Sequence, residues 1–281
     1  MFRNRCTVVA VVVGFTCLAG LGAQAPQDDE SVWRAFMVWF RTAPPTPGSP
    51  LGAYAASLQA AKTPEAEVKR QLDVLMRMVR QRSDWVEPFY DMVFSRLLTG
   101  DPATDGFTGA PSEILVEAAK GLTPGAALDA GMGQGRNAVY LAGRGWKVTG
   151  FDLSGEAIKA ASANAREAGV RIEAIKASYA DFDFGTAKWD LIVLTFAWAP
   201  VADPGFVARL RTSLRPNGRI VFEHFIEDQE SPRPPAMQVL KPGQLRGLFE
   251  GFRLDRYEEI TGLADWAGPG TPMVRMVAVK P

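Results

Sequence analysis

The chain has 281 residues, 47% of them hydrophobic and 22% charged, with 31 basic side chains against 31 acidic ones. That suits one full α/β domain plus an appendage. No basic run stands out, which disfavours nucleic acid as a partner; both cysteines, Cys6 and Cys17, fall in the first 23 residues, so the body has no disulfide, thiolate metal site or cysteine nucleophile.

Arg3 and Arg5 precede an apolar run from Thr7 to Gly22, with small residues at Ala23 and Ala25. This is the layout of a secretory signal peptide. Cleavage after Ala25 would leave Pro26 at the new terminus, so the expected cut follows Ala23. Residues 1–23 are then a leader, and the mature chain has a net charge of about −2 and no stable membrane insertion. The run is short for a full span. Export is the expectation; a mis-assigned start codon would make the protein cytoplasmic instead.

Residues 24–110 read as a helical appendage. Ser31 to Arg41 is an aromatic-rich helical run stopped by Pro44, Pro45 and Pro47. A short helix is expected over Leu51–Ala61. Thr63 then caps a longer one, with Pro64 in its first position and Glu65 and Glu67 in its first turn. Val68, Leu72, Leu75, Met76 and Val79 share one face of that helix, so it packs against something. Trp85 to Phe94 is a further aromatic-rich stretch containing Tyr90.

From Pro111 to the carboxyl terminus, strands and helices alternate as in a doubly wound sheet. A helix over Ser112–Ala119 leads into strand Ala126–Asp129, helix Arg136–Gly143 and strand Trp146–Asp152. Ser154 caps the helix Glu156–Ala168, and Gly169 ends it. Strand Val170–Ala177 follows, then an irregular segment to Phe184. The continuous apolar run Trp189–Phe196 reads as a central parallel strand. Asp203 and Pro204 open a helix to Leu214, and Pro216-Asn217-Gly218 turns into strand Arg219–Phe225. Pro232 to Pro235 is a loop before a short helix, Gly243–Phe249. Strands Phe252–Ile260 and Val274–Lys280 are expected to close the sheet as an antiparallel pair.

The stretch from Ala126 to Asp152 organises the rest. Strand, glycine turn, helix and acid-ended strand form the opening unit of a nucleotide-binding sheet. Gly131, Gly133 and Gly135 let a ligand approach the backbone, and the following helix points free N–H groups into the same crevice. Asp152 is placed to accept hydrogen bonds from both hydroxyls of a ribose. A dinucleotide fingerprint needs a third glycine where Arg136 stands. Asp129 at the end of the first strand would repel a pyrophosphate but suits a ligand carrying an ammonium group.

The segment Asp129-Ala-Gly-Met-Gly-Gln-Gly-Arg-Asn137, with Asp152 after it, resembles the class I S-adenosylmethionine-dependent methyltransferases. It closely resembles their small-molecule branch, which includes tellurite-resistance-type enzymes. The resemblance covers roughly Glu113 to Pro281. It implies a Rossmann-like seven-stranded methyltransferase sheet over residues 111–281, S-adenosyl-L-methionine as cofactor and a small-molecule acceptor. The cofactor residues it implies are Asp129, Gly131, Met132, Gly133, Gly135, Asn137, Asp152, Leu153, Ser178, Tyr179, Thr195 and Phe196. Relatives place an acid where this chain has Ser178; Asp181, or Ser178 with the Tyr179 backbone, is the expected substitute, with Asp181 and Asp183 as solvated turn residues the alternative. By the same resemblance Tyr90 and Phe107 are lid candidates, with plain apolar filling as the alternative.

Methyl transfer asks mainly for alignment of the acceptor. A base matters only if the acceptor must lose a proton. His224, the single histidine, stands beside Glu223 at the end of the fifth strand, in position for general base work or for a structural hydrogen bond. One histidine in a cysteine-free body makes a transition-metal site improbable. The rival function is a non-catalytic S-adenosylmethionine-binding module, which the export signal favours, because that cofactor is made inside cells.

Overall fold

The computed structural model describes residues 28–43, 50–81, 83–97, 109–227, 240–264 and 268–281. The leader, Phe107 and the Pro232–Pro235 loop lie outside them.

Four helices form a cap with its own apolar core. Helix α1 (Asp29–Thr42) starts at Asp28, whose side chain accepts the Ser31 N–H at 2.6 Å, while the Asp28 N–H donates to the Ser31 hydroxyl. This reciprocal cap satisfies two N-terminal donors. Helices α2 (Pro50–Ala60), α3 (Glu65–Gln81) and α4 (Ser83–Leu97) follow. Val32, Trp33, Phe36 and Phe40 of α1 pack with Tyr54, Leu75, Met78 and Val93 from the other three. The Phe36 ring meets Tyr54 edge-on at 5.2 Å between centroids.

The buried stripe of α3 is Val68, Gln71, Val74, Leu75 and Met78. It is rotated from the expected one, and Leu72 and Met76 are only half-buried. Gln71 accounts for the shift. A lone amide reads as surface in a hydrophobic pattern, yet its side-chain oxygen accepts the Tyr54 hydroxyl at 2.9 Å, which makes burial tolerable.

The sheet runs β3-β2-β1-β4-β5-β7-β6. Its strands are β1 (Ala126–Ala130), β2 (Lys147–Asp152), β3 (Glu173–Lys176), β4 (Trp189–Thr195), β5 (Leu214–Phe225), β6 (Arg253–Ala264) and β7 (Gly268–Val279). The first five are parallel, and β7 pairs antiparallel with both β5 and β6. Alternate residues of the central strands serve opposite faces. Leu191 and Val193 point towards α5 (Glu113–Ala119), α6 (Arg136–Gly143) and α7 (Gly155–Glu167). Ile192 and Leu194 point towards α8 (Pro204–Ser213) and α9 (Gln244–Leu248).

Several boundaries differ from the sequence reading: β6 runs on to Ala264 and β7 already starts at Gly268. Strand β3 keeps only Glu173–Lys176 of the expected eight residues, and β5 reaches back to Leu214 through Pro216-Asn217-Gly218. Asn217 takes the left-handed conformation (φ 61°), and its N–H donates to Lys280 O, which ties the turn to the end of β7.

From β1 the chain steps outward to β2 and β3, then returns to β4 on the other side of β1. The carboxyl ends of β1 and β4 therefore flank the point where the winding reverses. In open α/β sheets that crevice is where ligands bind.

Candidate active site

The turn leaving β1 lines this crevice. Gly131, Gly133 and Gly135 all have positive φ (71°, 55° and 79°), and the Gly131 and Met132 N–H groups both donate to Phe151 O at 2.9 and 3.0 Å. The turn is thereby stapled to the end of β2. At Gly133 a Cβ would sit 3.2 Å from the Phe94 ring of α4. A side chain there would crowd that ring by a few tenths of an ångström, on backbone already in the left-handed region. Met132 turns away from the crevice into the apolar layer beneath α6.

Asp129 is buried to 2% exposure. One of its oxygens takes a backbone hydrogen bond from Ala138 in the first turn of α6; Oδ2 has no hydrogen-bond partner. Burial pushes its carboxyl up to about 7, against the pull of the Ala138 bond and of the Arg136 charge. A buried, half-paired carboxylate is costly unless something cationic or protic meets it.

Asp152 ends β2, with its two oxygens accepting the Gly133 and Ser154 N–H groups, both at 2.9 Å. Burial raises its pKa against those bonds, and the charge of Asp91 adds to the rise. Each carboxylate oxygen keeps a free lone pair for a ribose hydroxyl. Next to Asp152, Leu153 is half-buried.

Helix α4 closes over this corner. Asp91 Oδ1 accepts the Ser154 hydroxyl at 2.6 Å and the Glu156 N–H at 3.2 Å, and Lys176 pairs with Glu87. Tyr90 lies between the cap core and Asp152; burial and the Asp152 charge both raise its phenol.

Asn137 and Thr195 are engaged with each other. Asn137 donates its side-chain N–H to Thr195 Oγ1 at 2.7 Å and accepts the Ser112 N–H at 2.9 Å. The Ser112 hydroxyl donates to Glu223 at 2.6 Å, and Arg275 Nε donates to the other Glu223 oxygen at 2.7 Å. This chain fixes the start of α6 to β4, β5 and β7 by their side chains, on the face away from Tyr179.

Tyr179 enters from the opposite face. Its ring stacks edge-on against Phe151 and Phe206, and its hydroxyl lies 3.0 Å from Ala130 O and 2.8 Å from Ala197 O. Ser178 and Asp181 bond to each other in an exposed turn, the Ser178 hydroxyl donating at 2.5 Å. Phe196 and Trp198 both take left-handed backbone (φ 51° and 49°), a strain that non-glycine residues hold mainly at functional sites.

His224 is 5% exposed and stands at the carboxyl end of β5, with the Trp198 ring edge-on at 4.7 Å and Phe196, Phe222 and Phe225 around it. Glu223 is its neighbour in sequence but not in space. Adjacent residues of a strand face opposite sides, and Glu223 belongs to the Ser112–Arg275 chain. Glu223 therefore does not stand against the His224 ring, although the two are adjacent in sequence.

Residues 127–218 match the methyltransferase domain family. Over that span the chain is similar to S-adenosylmethionine-dependent methyltransferases. The fold is similar to TehB from Haemophilus influenzae, 22% identical, covering 62% of this chain and 64% of that one with a TM-score of 0.53. It is also similar to the 1,6-didemethyltoxoflavin-N1-methyltransferase of Burkholderia thailandensis, solved with bound S-adenosylhomocysteine. That match is 22% identical, covers 69% of this chain and 90% of that one, and has a TM-score of 0.50. Hemagglutinin 1 of Eikenella corrodens is 29% identical over 188 residues, 63% of this chain and 61% of that protein. The chain thus spans under two thirds of the length of that curated relative.

The residues of the methyltransferase domain fit its cofactor. The glycine turn leaves room at the backbone, the Asp152 carboxylate stands beside it at the end of β2, and the unpartnered Asp129 oxygen gives a cationic ligand a reason to bind there. Among the described residues no group of His, Cys, Asp and Glu is arranged to hold a metal ion, and no helix is long and apolar enough to cross a membrane. Sequence reasoning missed Asp91, Phe94, Ser112 and Arg275. Each reaches its partner across more than 38 residues of chain, so no local pattern marks it.

Proposed function

We propose that the protein transfers the methyl group of S-adenosylmethionine to a small-molecule acceptor in the crevice between β1 and β4. The observation that carries this reading is the buried Asp129 oxygen without a partner, set beside the glycine turn at the point where the sheet reverses. Asp152 and the turn N–H groups hold the nucleoside. The cofactor, when bound, supplies an activated methyl group on a sulfonium, a leaving group that needs no further activation. The chain's own task is then alignment and exclusion of water. Helix α4 covers the turn through Phe94 and Asp91. The strained Phe196–Trp198 segment, with His224 behind it, forms the aromatic wall of the acceptor side. A neighbour of this fold whose printed acceptor is a small heterocycle supports the small-molecule class.

The test is incubation with methyl-labelled S-adenosylmethionine and a small-molecule extract. Label should move to compounds below about one kilodalton, and S-adenosylhomocysteine but not NAD should bind calorimetrically. Label confined to macromolecules, or binding of NAD alone, refutes the reading. The leader supports export of the mature chain. Residues 1–27 fused to a reporter active only outside the cytoplasm should give signal, and full-length protein retaining Met1 in the cytosol counts against export.

A further inference from the structure

The Tyr179 hydroxyl occupies an unusual place. Its ring belongs to the apolar layer on the α8 side, yet its oxygen crosses to the mouth of the crevice, between the carbonyls of Ala130 and Ala197. Those carbonyls stand at the ends of β1 and β4, the two strands that flank the reversal point. A phenol has one hydrogen to give, and here two carbonyl oxygens converge on it. The surroundings are negative as well, because the charges of Asp152 and Asp129 both reach this phenol. Two convergent acceptors and two carboxylates are matched poorly by one neutral O–H and well by an ammonium with three hydrogens.

Local geometry supports a special use of this spot. A Cβ at Gly131 would lie 2.6 Å from the Tyr179 oxygen and 2.9 Å from the Ala197 side chain, so the backbone there is open only because residue 131 is glycine. The Ala197 carbonyl is aimed by two left-handed residues, Phe196 and Trp198, on either side of it. Tyr179 itself sits on the irregular segment after β3, beside the exposed residues Ala180 and Asp181.

We propose that the Tyr179 hydroxyl is a placeholder for the ammonium group of the cofactor, competing with it for the Ala130 and Ala197 carbonyls and displaced when an amino-acid-bearing ligand takes the same two acceptors. This rests on the S-adenosylmethionine reading above. It makes Tyr179 a residue that sets affinity for the amino-acid end of the ligand and leaves the nucleoside end untouched.

The experiment compares two ligands on wild type and Tyr179→Phe. One is S-adenosylhomocysteine. The other is 5′-S-(3-carboxypropyl)-5′-thioadenosine, which keeps the nucleoside, thioether and carboxylate and lacks only the ammonium. Removing a competing neutral hydrogen bond should tighten S-adenosylhomocysteine binding about three- to tenfold and leave the second ligand within about twofold. Equal changes for both ligands, or weaker S-adenosylhomocysteine binding in the variant, overturn the placeholder role. Wild type that binds neither ligand overturns the cofactor reading itself, and the placeholder with it. A wild-type readout covers the case of a variant that does not fold. With tyrosine Cζ labelled, one of the five tyrosine resonances should shift with S-adenosylhomocysteine and stay put with the carboxypropyl ligand; identical spectra for the two ligands refute displacement.

Discussion

Asp129→Asn is the most informative single change in this site. In the folded protein burial moves the carboxyl from 3.8 up to about 7, whereas the unfolded chain keeps the ordinary value. Below about pH 4 both states are protonated and stability is full. As pH rises the unfolded state loses its proton first, so stability falls until about pH 7 and is level above that. At about 1.4 kcal/mol per factor of ten, the difference is at most about 4 kcal/mol. That corresponds to on the order of 10 °C in Tm for a chain of this size. Asparagine removes the ionisation while preserving shape. Thermal unfolding across pH 4–8 should therefore show the wild type losing stability relative to Asp129→Asn, with the variant the more stable at pH 8. The same variant should bind S-adenosylhomocysteine more weakly at pH 8, because the unpartnered oxygen is then no longer an anion. Parallel pH profiles for the two proteins would refute the claim that this carboxylate is strained by burial and kept for a ligand.

Three further outcomes are expected. Asp152→Ala should weaken S-adenosylhomocysteine binding at least tenfold by calorimetry, since a charge-assisted hydrogen bond contributes about 1.5–3 kcal/mol and both oxygens also brace the glycine turn. His224→Asn should lower Tm while leaving the transfer rate per folded molecule within about threefold and its pH profile unchanged; a loss of 10²–10⁴-fold would instead make His224 the base. Arg275→Met leaves Glu223 buried without its cation and should cost about 3–5 kcal/mol in urea unfolding, much of it recovered in the double variant with Glu223→Gln.

Much of this architecture is legible in the sequence because it rests on local signals. The apolar run of β4, the glycine turn and the caps at Ser154 and Asp203 all lie where pattern and capping chemistry put them. Ser154 accepts the Ala157 N–H at 3.1 Å, and Asp203 accepts the Gly205 N–H at 2.9 Å. What the sequence hides is the direction of polar side chains. Asn137 follows the glycine turn as a cofactor contact should, yet its amide is spent on Thr195 and Ser112. Tyr179 reads as a backbone contact after β3, yet its hydroxyl spans two strand ends, because Gly131 and Ala197 are small enough to let it through. The face of α3 is misread for the same reason: a hydrophobic count cannot know that Gln71 finds Tyr54.

The pairing of Glu223 with Arg275 also bears on when the sheet can close during synthesis. Strand β5 is made 52 residues before the guanidinium that neutralises its buried carboxylate, and β7, inserted between β5 and β6, is the last strand to be made. A nascent chain that has reached Phe249 holds Glu223 beside the Ser112 hydroxyl but with no counter-charge, and an unpaired β5 edge. Closing the sheet at that stage would bury a naked charge, so the central strands wait for the carboxyl terminus. Removing the last eight residues, Val274–Pro281, takes away Arg275 and the second half of β7 and should leave a soluble-fraction yield near zero rather than a shortened domain.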